Sequence, residues 1–277
     1  MSIAERLRER GLSPKKRFGQ NFLVDVHAQK MIAEAATTPV GGTVLEIGPG
    51  MGALTRPLLE RAGHVVALER DRDLVPLLSE DFAEPIAQGR LHIVEGDAMA
   101  QDWAALLQGH PKPHVIAGNL PYLLTGPLLE RATMLVDHVD RVVFMVQLEV
   151  AERLMAKPST KEYGALTVFV QAAFDVRRVL TVRAGAFYPR PDVDSAVVAL
   201  DPVKPKRAEE TDAFRDAVRA AFGARRKTLR NAWKSIYGWS KEELETHAAA
   251  AGISLDARGE TLSVEAFARF AAQRRAT

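Results

Sequence analysis

The 277-residue sequence predicts an α/β fold with a mostly parallel sheet, followed by a small all-helical domain. Short apolar runs alternate with amphipathic stretches from about residue 25 to residue 200. That alternation is typical of a parallel sheet with helices on its faces. Beyond a proline-rich basic segment at 202–207, only helical patterns remain, so we expect two domains, 1–203 and 204–277.

The predicted strands are nearly continuous in apolar residues, as strands covered on both faces require. They are Thr43–Ile47, His64–Glu69, Arg90–Val94, His114–Asn119 and Arg141–Gln147. Two further runs, at 175–182 and 194–200, have no helical pattern between them. They predict an antiparallel hairpin at one edge of the sheet.

The predicted helices follow from apolar residues recurring every three to four positions. Between the strands they are Val24–Ala36, Ala53–Arg61, Arg72–Phe82, Trp103–Leu107, Pro127–Leu135 and Leu148–Met155. In the second domain they are Thr211–Phe222, Lys227–Tyr237, Lys241–Ala251 and Val264–Gln273. Ser240 and Glu243 form a capping box for the third of these.

Composition limits the chemistry. The chain has no cysteine, which excludes disulfides, cysteine nucleophiles and thiolate metal sites. Its seven histidines show no metal-ligand spacing, so no metal is expected. No apolar run approaches the roughly 20 residues of a membrane span, and the basic N-terminus lacks the apolar segment of a signal peptide. We therefore expect a cytoplasmic protein.

The net charge is only +2, but cations cluster at 1–30 and at 204–230. Such clusters favour a polyanionic partner. The alternative is that both segments are ordinary solvated surface.

The first motif is the segment VLEIGPGMGALT, in which a strand leads into a glycine-rich turn and then a helix. Gly48, Gly50 and Ala53 fit the dinucleotide-binding fingerprint. Glu69 ends the next strand about 20 residues on, where a carboxylate can accept both ribose hydroxyls. The motif therefore predicts a cofactor that contains a nucleoside, and leaves NAD and S-adenosylmethionine open; a purely structural turn is the alternative.

Two later features favour an adenosyl methyl donor. Asp97 ends the third strand and can accept a hydrogen bond from an adenine amine, although a helix N-cap is the alternative. The fourth strand ends in Asn119-Leu120-Pro121-Tyr122. The Asn119 side chain and the Leu120 carbonyl can accept both hydrogens of an exocyclic amine, and Tyr122 can stack on the base. An ordinary Asn-x-Pro turn is the alternative here.

The sequence resembles the small-subunit ribosomal RNA adenine dimethyltransferases, the kasugamycin-sensitivity family. The matching segments are KKRFGQNFL, LEIGPGMGALT, ALERD, EGDAM, GNLPY, MVQLEVAERL, FYPRPDVDSAVV and FGARRKTLRNAW, in that order along the chain. The resemblance implies a class I methyltransferase fold, with seven mostly parallel strands, an antiparallel edge and a small helical C-terminal domain for RNA recognition. It also implies S-adenosylmethionine as methyl donor.

The substrate that the resemblance implies is a pair of adjacent adenosines in the 3′-terminal hairpin loop of small-subunit ribosomal RNA, dimethylated during ribosome biogenesis. The RNA is expected within a pre-assembled small subunit, and the enzyme is expected to be a monomer. Asn21 and Leu23 become candidate cofactor contacts on the resemblance alone.

The candidate catalytic residues are Asn119, Leu120, Tyr122 and Phe187. The rings of Tyr122 and Phe187 are expected to sandwich a flipped adenine. Core packing is the alternative role for Phe187. The candidate cofactor contacts are Asn21, Leu23, Gly48, Gly50, Glu69, Asp97 and Asn119. The candidate RNA contacts are Lys15, Lys16, Arg17, Arg225, Arg226, Lys227 and Arg230, in two groups expected on either side of the catalytic mouth, with internal pairing to acids as the alternative for the second group.

Three other functions stay open at this point. A methyltransferase of the erythromycin-resistance type would act on large-subunit ribosomal RNA. An NAD-dependent oxidoreductase would share the glycine motif and Glu69, but its reaction would give Asn119-Leu120-Pro121-Tyr122 no functional role. A non-catalytic RNA-binding assembly factor would be expected to lack Glu69, Asp97 or Asn119, and all three are present.

Overall fold

A computed structural model describes residues 3–38 and 41–276 and divides the chain into two compact units. The first contains Met1–Ala151 and Val176–Asp201, and the second Glu152–Asp175 and Pro202–Thr277. The observed crossing at 201–202 lies close to the predicted boundary. Segment 152–175 nevertheless belongs to the second unit, because buried side chains such as Phe169 pack in one apolar cluster with Phe214 and Phe267.

The first unit is built on a seven-stranded sheet with the order β4-β3-β2-β5-β6-β9-β7, and β1 and β8 form a separate antiparallel pair. The strands are β1 Phe22–Leu23, β2 Thr43–Ile47, β3 His64–Glu69, β4 Leu91–Glu95, β5 His114–Asn119, β6 Arg141–Gln147, β7 Phe174–Val182, β8 Phe187–Tyr188 and β9 Ser195–Pro202. Strands β2 to β6 pair in parallel. This confirms the predicted parallel sheet.

The antiparallel end of the sheet differs in detail from the prediction. Strands β7 and β9 are neighbours, as the hairpin pattern predicts, but β9 lies between β6 and β7 and pairs antiparallel with β6. The edge strand is therefore β7. Its burial is mixed, whereas Ser195 to Leu200 in β9 are buried throughout, as expected for an edge strand and an interior strand.

Eight helices accompany the sheet strands in the described residues up to 154. They are α1 Ile3–Glu9, α2 Val26–Ala36, α3 Thr55–Leu59, α4 Val75–Asp81, α5 Ala83–Ala87, α6 Trp103–Leu107, α7 Thr125–Thr133 and α8 Leu148–Leu154. Helix α1 has no counterpart in the sequence prediction, because only its single buried residue, Leu7, marks an apolar face. Leu7 packs in a small cluster with Phe22, Met51 and Leu77.

The second unit is helical. Its helices are α9 Ala165–Ala173, α10 Asp212–Gly223, α11 Leu229–Ala232, α12 Lys241–Ala250 and α13 Val264–Ala272. At its centre Trp233 stacks on Phe270 with ring centroids 3.9 Å apart. The single helix predicted over Lys227–Tyr237 is wrong, because Thr228 is extended and Tyr237 has a left-handed φ of 58°. The capping box of Ser240 and Glu243 is confirmed.

The parallel strands of the first unit end at a common edge, which is where ligands bind in open α/β sheets. Ile47, Glu69 and Asn119 are the last residues of β2, β3 and β5. This edge therefore brings the predicted motifs together. No helix in the described ranges is long and apolar enough to cross a membrane.

Candidate active site

A cavity of about 220 Å³ opens at the carboxyl ends of β2, β3 and β5. The residues that line it include Asn21, Leu23, Glu46, Gly48, Gly50, Glu69, Asp97, Asn119, Leu120, Tyr122 and Leu123. All of them lie in the first unit. The seven candidate cofactor contacts therefore all line one cavity.

The glycine-rich turn after β2 forms one wall of the cavity. Gly48 has a φ of +70°, and a Cβ built there would meet no atom within 4 Å, so its position gives the backbone close access to a ligand. Gly50 has a φ of +59°, and a Cβ there would come within 3.1 Å of the Phe22 ring. Both positions favour glycine, the first for its left-handed backbone and the second also for its packing.

Glu69 lies under this turn with only 6% of its surface exposed. Its Oε2 accepts a hydrogen bond from the Gly50 N–H at 2.9 Å, and its Oε1 accepts one from the Asp71 N–H at 2.7 Å. Burial raises the pKa of Glu69, against these backbone hydrogen bonds. The carboxylate is thus fixed in position at the cavity, with lone pairs left for a ligand's hydroxyls.

Glu46 is a second buried carboxyl group at the cavity, and it is not among the residues predicted from the sequence. It is 1% exposed, and burial raises its pKa to about 8. Its Oε2 accepts a hydrogen bond from the Thr55 hydroxyl at 2.7 Å, which joins β2 to α3 across the glycine turn. The signal available in the sequence was an acidic residue inside an otherwise apolar strand, since such residues are almost never fully buried without a partner.

The contacts of Asp97 bear on the two roles that the sequence left open. Its Oδ1 accepts a hydrogen bond from the Met99 N–H at 2.9 Å, which is a turn-capping contact. Its Oδ2 lies 3.4 Å from a guanidinium nitrogen of Arg70. Asp97 also lines the cavity, and its contact with an adenine amine there stays a prediction.

The Asn119 amide has a defined orientation. Its Nδ2 donates to the backbone carbonyl of Asn21 at 2.8 Å. Oδ1 is therefore the atom of Asn119 available as an acceptor at the cavity. Leu120 follows with its side chain buried and its N–H donating to the Met145 carbonyl at 3.1 Å, which anchors the start of the turn to β6.

Tyr122 is held by its hydroxyl, which lies 2.9 Å from Oγ of Ser195 at the start of β9. Burial raises the pKa of the Tyr122 phenol, so it stays protonated at neutral pH. The ring lines the cavity next to Asn119. A fixed aromatic face at that place suits base stacking.

Phe187 differs from the expectation for it. It is 5% exposed and belongs to the apolar cluster of the sheet with Leu23 and Val197. The cavity lining does not include it. Since the strand pair β1–β8 aligns Phe187 with Leu23, its ring supports the segment that borders the cavity and, in this structure, packs in the core.

The N-terminal segment 15–23 is fastened beside Glu69. The Gln20 side-chain amide donates to Oδ2 of Asp71 at 2.8 Å, and the Lys15 ammonium pairs with Asp71 and Asp73. Lys15, a predicted RNA contact, thus has its charge compensated by two acids. No ion pair within the described ranges involves Lys16 or Arg17.

The basic residues at 225–230 in the second unit likewise include some that have acidic partners and some that form no ion pair in the described part of the chain. Arg225 pairs with Glu260, and Arg230 pairs with Glu245 at 2.6 Å. Arg226 and Lys227 are exposed, and in the described part of the chain neither forms an ion pair. Arg226 lies in the turn between α10 and α11, whereas Arg230 lies within α11.

The fold and the cavity define a class I methyltransferase. The glycine turn, the buried Glu69 carboxylate and the polar Asp97 at the cavity fit the ribose and the adenine of S-adenosylmethionine. No group of three His, Cys, Asp or Glu side chains in residues 3–38 and 41–276 is placed to hold a metal ion.

Comparison with known proteins assigns the family. The model of the ribosomal RNA adenine dimethylase family matches residues 11–273, and the chain belongs to that family. It is 43% identical over 273 residues to ribosomal RNA small subunit methyltransferase A of Moorella thermoacetica, covering 95% of this chain and 93% of the relative. It is 44% identical to the protein of the same name from Magnetococcus marinus, covering 96% and 93%.

Solved structures agree on the fold. A dimethyladenosine transferase from Plasmodium falciparum superposes with a TM-score of 0.73 at 24% identity, covering 90% of this chain and 95% of the other. The 23S rRNA methyltransferase ErmE superposes with a TM-score of 0.63 at 26% identity, covering 93% and 100%. The family match and the curated relatives make the chain an S-adenosylmethionine-dependent enzyme that dimethylates adenine in ribosomal RNA, and the oxidoreductase and non-catalytic alternatives are set aside.

Proposed function

We propose that this enzyme dimethylates the exocyclic amines of two adjacent adenosines in the 3′-terminal hairpin loop of small-subunit ribosomal RNA, within a pre-assembled subunit. The observation that supports an amine substrate most directly is the hydrogen bond from Asn119 Nδ2 to the Asn21 carbonyl. It leaves Oδ1 as the acceptor for an amine hydrogen.

The chemistry follows from the weakness of an adenine amine as a nucleophile, since its lone pair is delocalised into the ring. When bound, S-adenosylmethionine supplies an electrophilic methyl group on a sulfonium sulfur. Asn119 Oδ1 and the Leu120 carbonyl accept the two amine hydrogens and hold the nitrogen in line. Positioning of this kind, rather than a strong base, lowers the barrier.

The proton is released after transfer, because an alkylated adenine amine is strongly acidic and gives its proton to water. Asn119 cannot itself act as a base at neutral pH. The second methylation requires the monomethyl amine to bind with its methyl group turned away, so that one N–H still reaches an acceptor.

The base is proposed to stack on Tyr122. Stacking on an aromatic ring contributes about 1–3 kcal/mol per base. A second stacking ring from Phe187 requires that ring to leave the core. Thermal melting and the rate per folded molecule of Phe187→Ala separate the alternatives: lost stability with an intact rate indicates core packing, and a lost rate in a folded protein indicates contact with the base.

The small subunit is favoured over the large one by the relatives. The proteins that match at 43% and 44% identity over more than nine-tenths of the chain are named for the small subunit, whereas ErmE, named for 23S rRNA, matches at 26%. We infer a cytoplasmic location from this substrate, and we propose that the enzyme acts as a monomer.

The helical unit is proposed to bind ribosomal RNA through Arg226 and Lys227, and the first unit through Lys16 and Arg17. Lys15, Arg225 and Arg230 have acidic partners, so they contribute less charge to a phosphate surface.

The test is methylation by the purified protein of small subunits and of large-subunit RNA that both lack the modification, followed by mapping of dimethyladenosine. Two adjacent dimethyladenosines near the 3′ end of the small-subunit RNA are expected. Methylation confined to large-subunit RNA would establish the erythromycin-resistance alternative instead. Calorimetric titration with S-adenosylmethionine, with NAD as control, checks the cofactor independently.

A further inference from the structure

Leu123 is an exposed leucine at the mouth of the active-site cavity. It is 75% exposed, which is the largest exposure of any large apolar side chain in the described ranges. Single exposed leucines are common on protein surfaces. This one also lines the cavity, directly after Tyr122.

The turn that presents Leu123 is anchored on both sides. The Leu124 N–H donates to the Pro121 carbonyl at 2.9 Å, and the Thr125 hydroxyl donates to the same carbonyl at 3.2 Å. The Tyr122 hydroxyl contacts Ser195, as described above. Leu123 therefore stands on a short 3-10 turn, Tyr122–Leu124, whose neighbours are fixed.

Two more exposed apolar side chains lie in residues 188–193, which precede Ser195 in the sequence. Val193, two residues before Ser195, is 44% exposed, and Tyr188, aligned with the cavity residue Phe22, is 38% exposed. An exposed leucine is unusual at the mouth of a site for a polyanion, where cations give the affinity. It suits the faces of nucleobases, which are apolar.

We propose that Leu123 is a wedge that enters the base stack of the RNA at the place left by the target adenine. This inference rests on the proposed function. An adenine cannot reach Asn119 from inside a stack and must be extruded, at an energetic cost. Nucleic-acid-binding proteins insert apolar side chains between base steps, and a side chain in that position can fill the gap that an extruded base leaves. Leu123 lies beside the residues that receive the extruded base, so one rigid turn both fills the gap and binds the base.

The test compares Leu123→Ala with Leu123→Met, which keeps an apolar side chain of similar length. The matched control is Met134→Ala, since Met134 is 68% exposed and outside the cavity lining. Small subunits are reconstituted with a 3′ RNA fragment that has one target adenosine, followed either by the natural nucleotide or by an abasic site. The abasic site removes the stacking that the wedge has to replace.

We expect Leu123→Ala to methylate the natural fragment roughly tenfold or more slowly, a loss of about 1.4 kcal/mol in transition-state stabilisation. On the abasic fragment its rate should approach that of the unmodified enzyme. Leu123→Met and Met134→Ala should stay near the unmodified rate on both. With 2-aminopurine at the target position, the fluorescence increase on binding should be smaller for Leu123→Ala.

Equal slowing of Leu123→Ala on both fragments would overturn the wedge, because it would place the defect in the cavity itself. An unchanged rate on both fragments would overturn it too. If the unmodified enzyme methylates neither fragment, the result would instead contradict the proposed function.

Discussion

Removal of the Glu69 carboxylate should weaken binding of S-adenosylmethionine by about tenfold to a hundredfold. Glu69 is 6% exposed and fixed by the N–H groups of Gly50 and Asp71. A hydrogen bond to a charged group is worth about 1.5–3 kcal/mol, and each 1.4 kcal/mol is a factor of ten in affinity. In Glu69→Ala the ribose hydroxyls lose this acceptor, and the glycine turn loses its anchor.

The matched control is Glu95→Ala. Glu95 is aligned with Glu69 on the neighbouring strand β4, but it is exposed and does not line the cavity. Calorimetric titration of both variants measures the affinity, and thermal melting without cofactor checks that each is folded. Unchanged affinity in folded Glu69→Ala, or an equal loss in Glu95→Ala, would refute the assignment of Glu69 to the ribose.

Ionisation of the Glu69 carboxylate should make the affinity for S-adenosylmethionine depend on pH. Burial raises the pKa of Glu69, and the ionised form is the better acceptor for hydroxyls. Affinity for S-adenosylmethionine should therefore fall on acidification at a pH above the ordinary titration range of a glutamate. Glu69→Gln should lose this dependence, which titrations at several pH values would detect.

Three more predictions concern other groups. Asn119→Ala should abolish methyl transfer with at most a modest loss of cofactor affinity. Asn119→Asp should also be inactive, because a carboxylate cannot donate a hydrogen bond to the Asn21 carbonyl. Single-turnover rates of methyl transfer check both variants. Burial raises the pKa of Glu46 from an ordinary value of 4.5 to about 8. Its contribution to stability is therefore full below about pH 4.5 and is lost progressively as the pH rises toward about 8. Glu46→Gln should therefore flatten the decline of the melting temperature over that interval, and a parallel decline in both proteins would contradict the reasoning. Neutralising Arg226 and Lys227 together should weaken subunit binding and reduce the salt slope by up to about two phosphate equivalents, whereas Arg225→Gln should mainly lower the melting temperature.

Much of the sheet could be predicted from the sequence because a parallel strand covered on both faces has a distinct apolar signature. The bounds of β2, β3, β5 and β6 agree with the predicted runs. The assignment of α9 to the helical unit could not be predicted. Its residues 167–170 are all buried, so no polar face indicates a direction, and only tertiary packing decides its partner.

The site was predictable where a residue type at a strand end has a chemical meaning, as for Glu69, Asp97 and Asn119. Pairing between distant residues was not. The contact of Lys15 with Asp71 joins positions far apart in the sequence, and a list of cations gives no sign of which are already neutralised. Phe187 illustrates the same limit, since an aromatic residue after a strand suits either a base or a core.

The helical unit is built from two separate segments of the chain, and this constrains its folding during synthesis. Segment 152–175 leaves the ribosome before the chain returns to form β7, β8 and β9, and long before α13 is synthesised. Phe169 is therefore synthesised before Phe214 and Phe267, its partners in the apolar cluster. The full cluster can form only after the nascent chain has grown by about a hundred further residues. A fragment beginning at residue 204 would lack that segment altogether, so the helical unit cannot be released as an independent domain by a single cut in the linker.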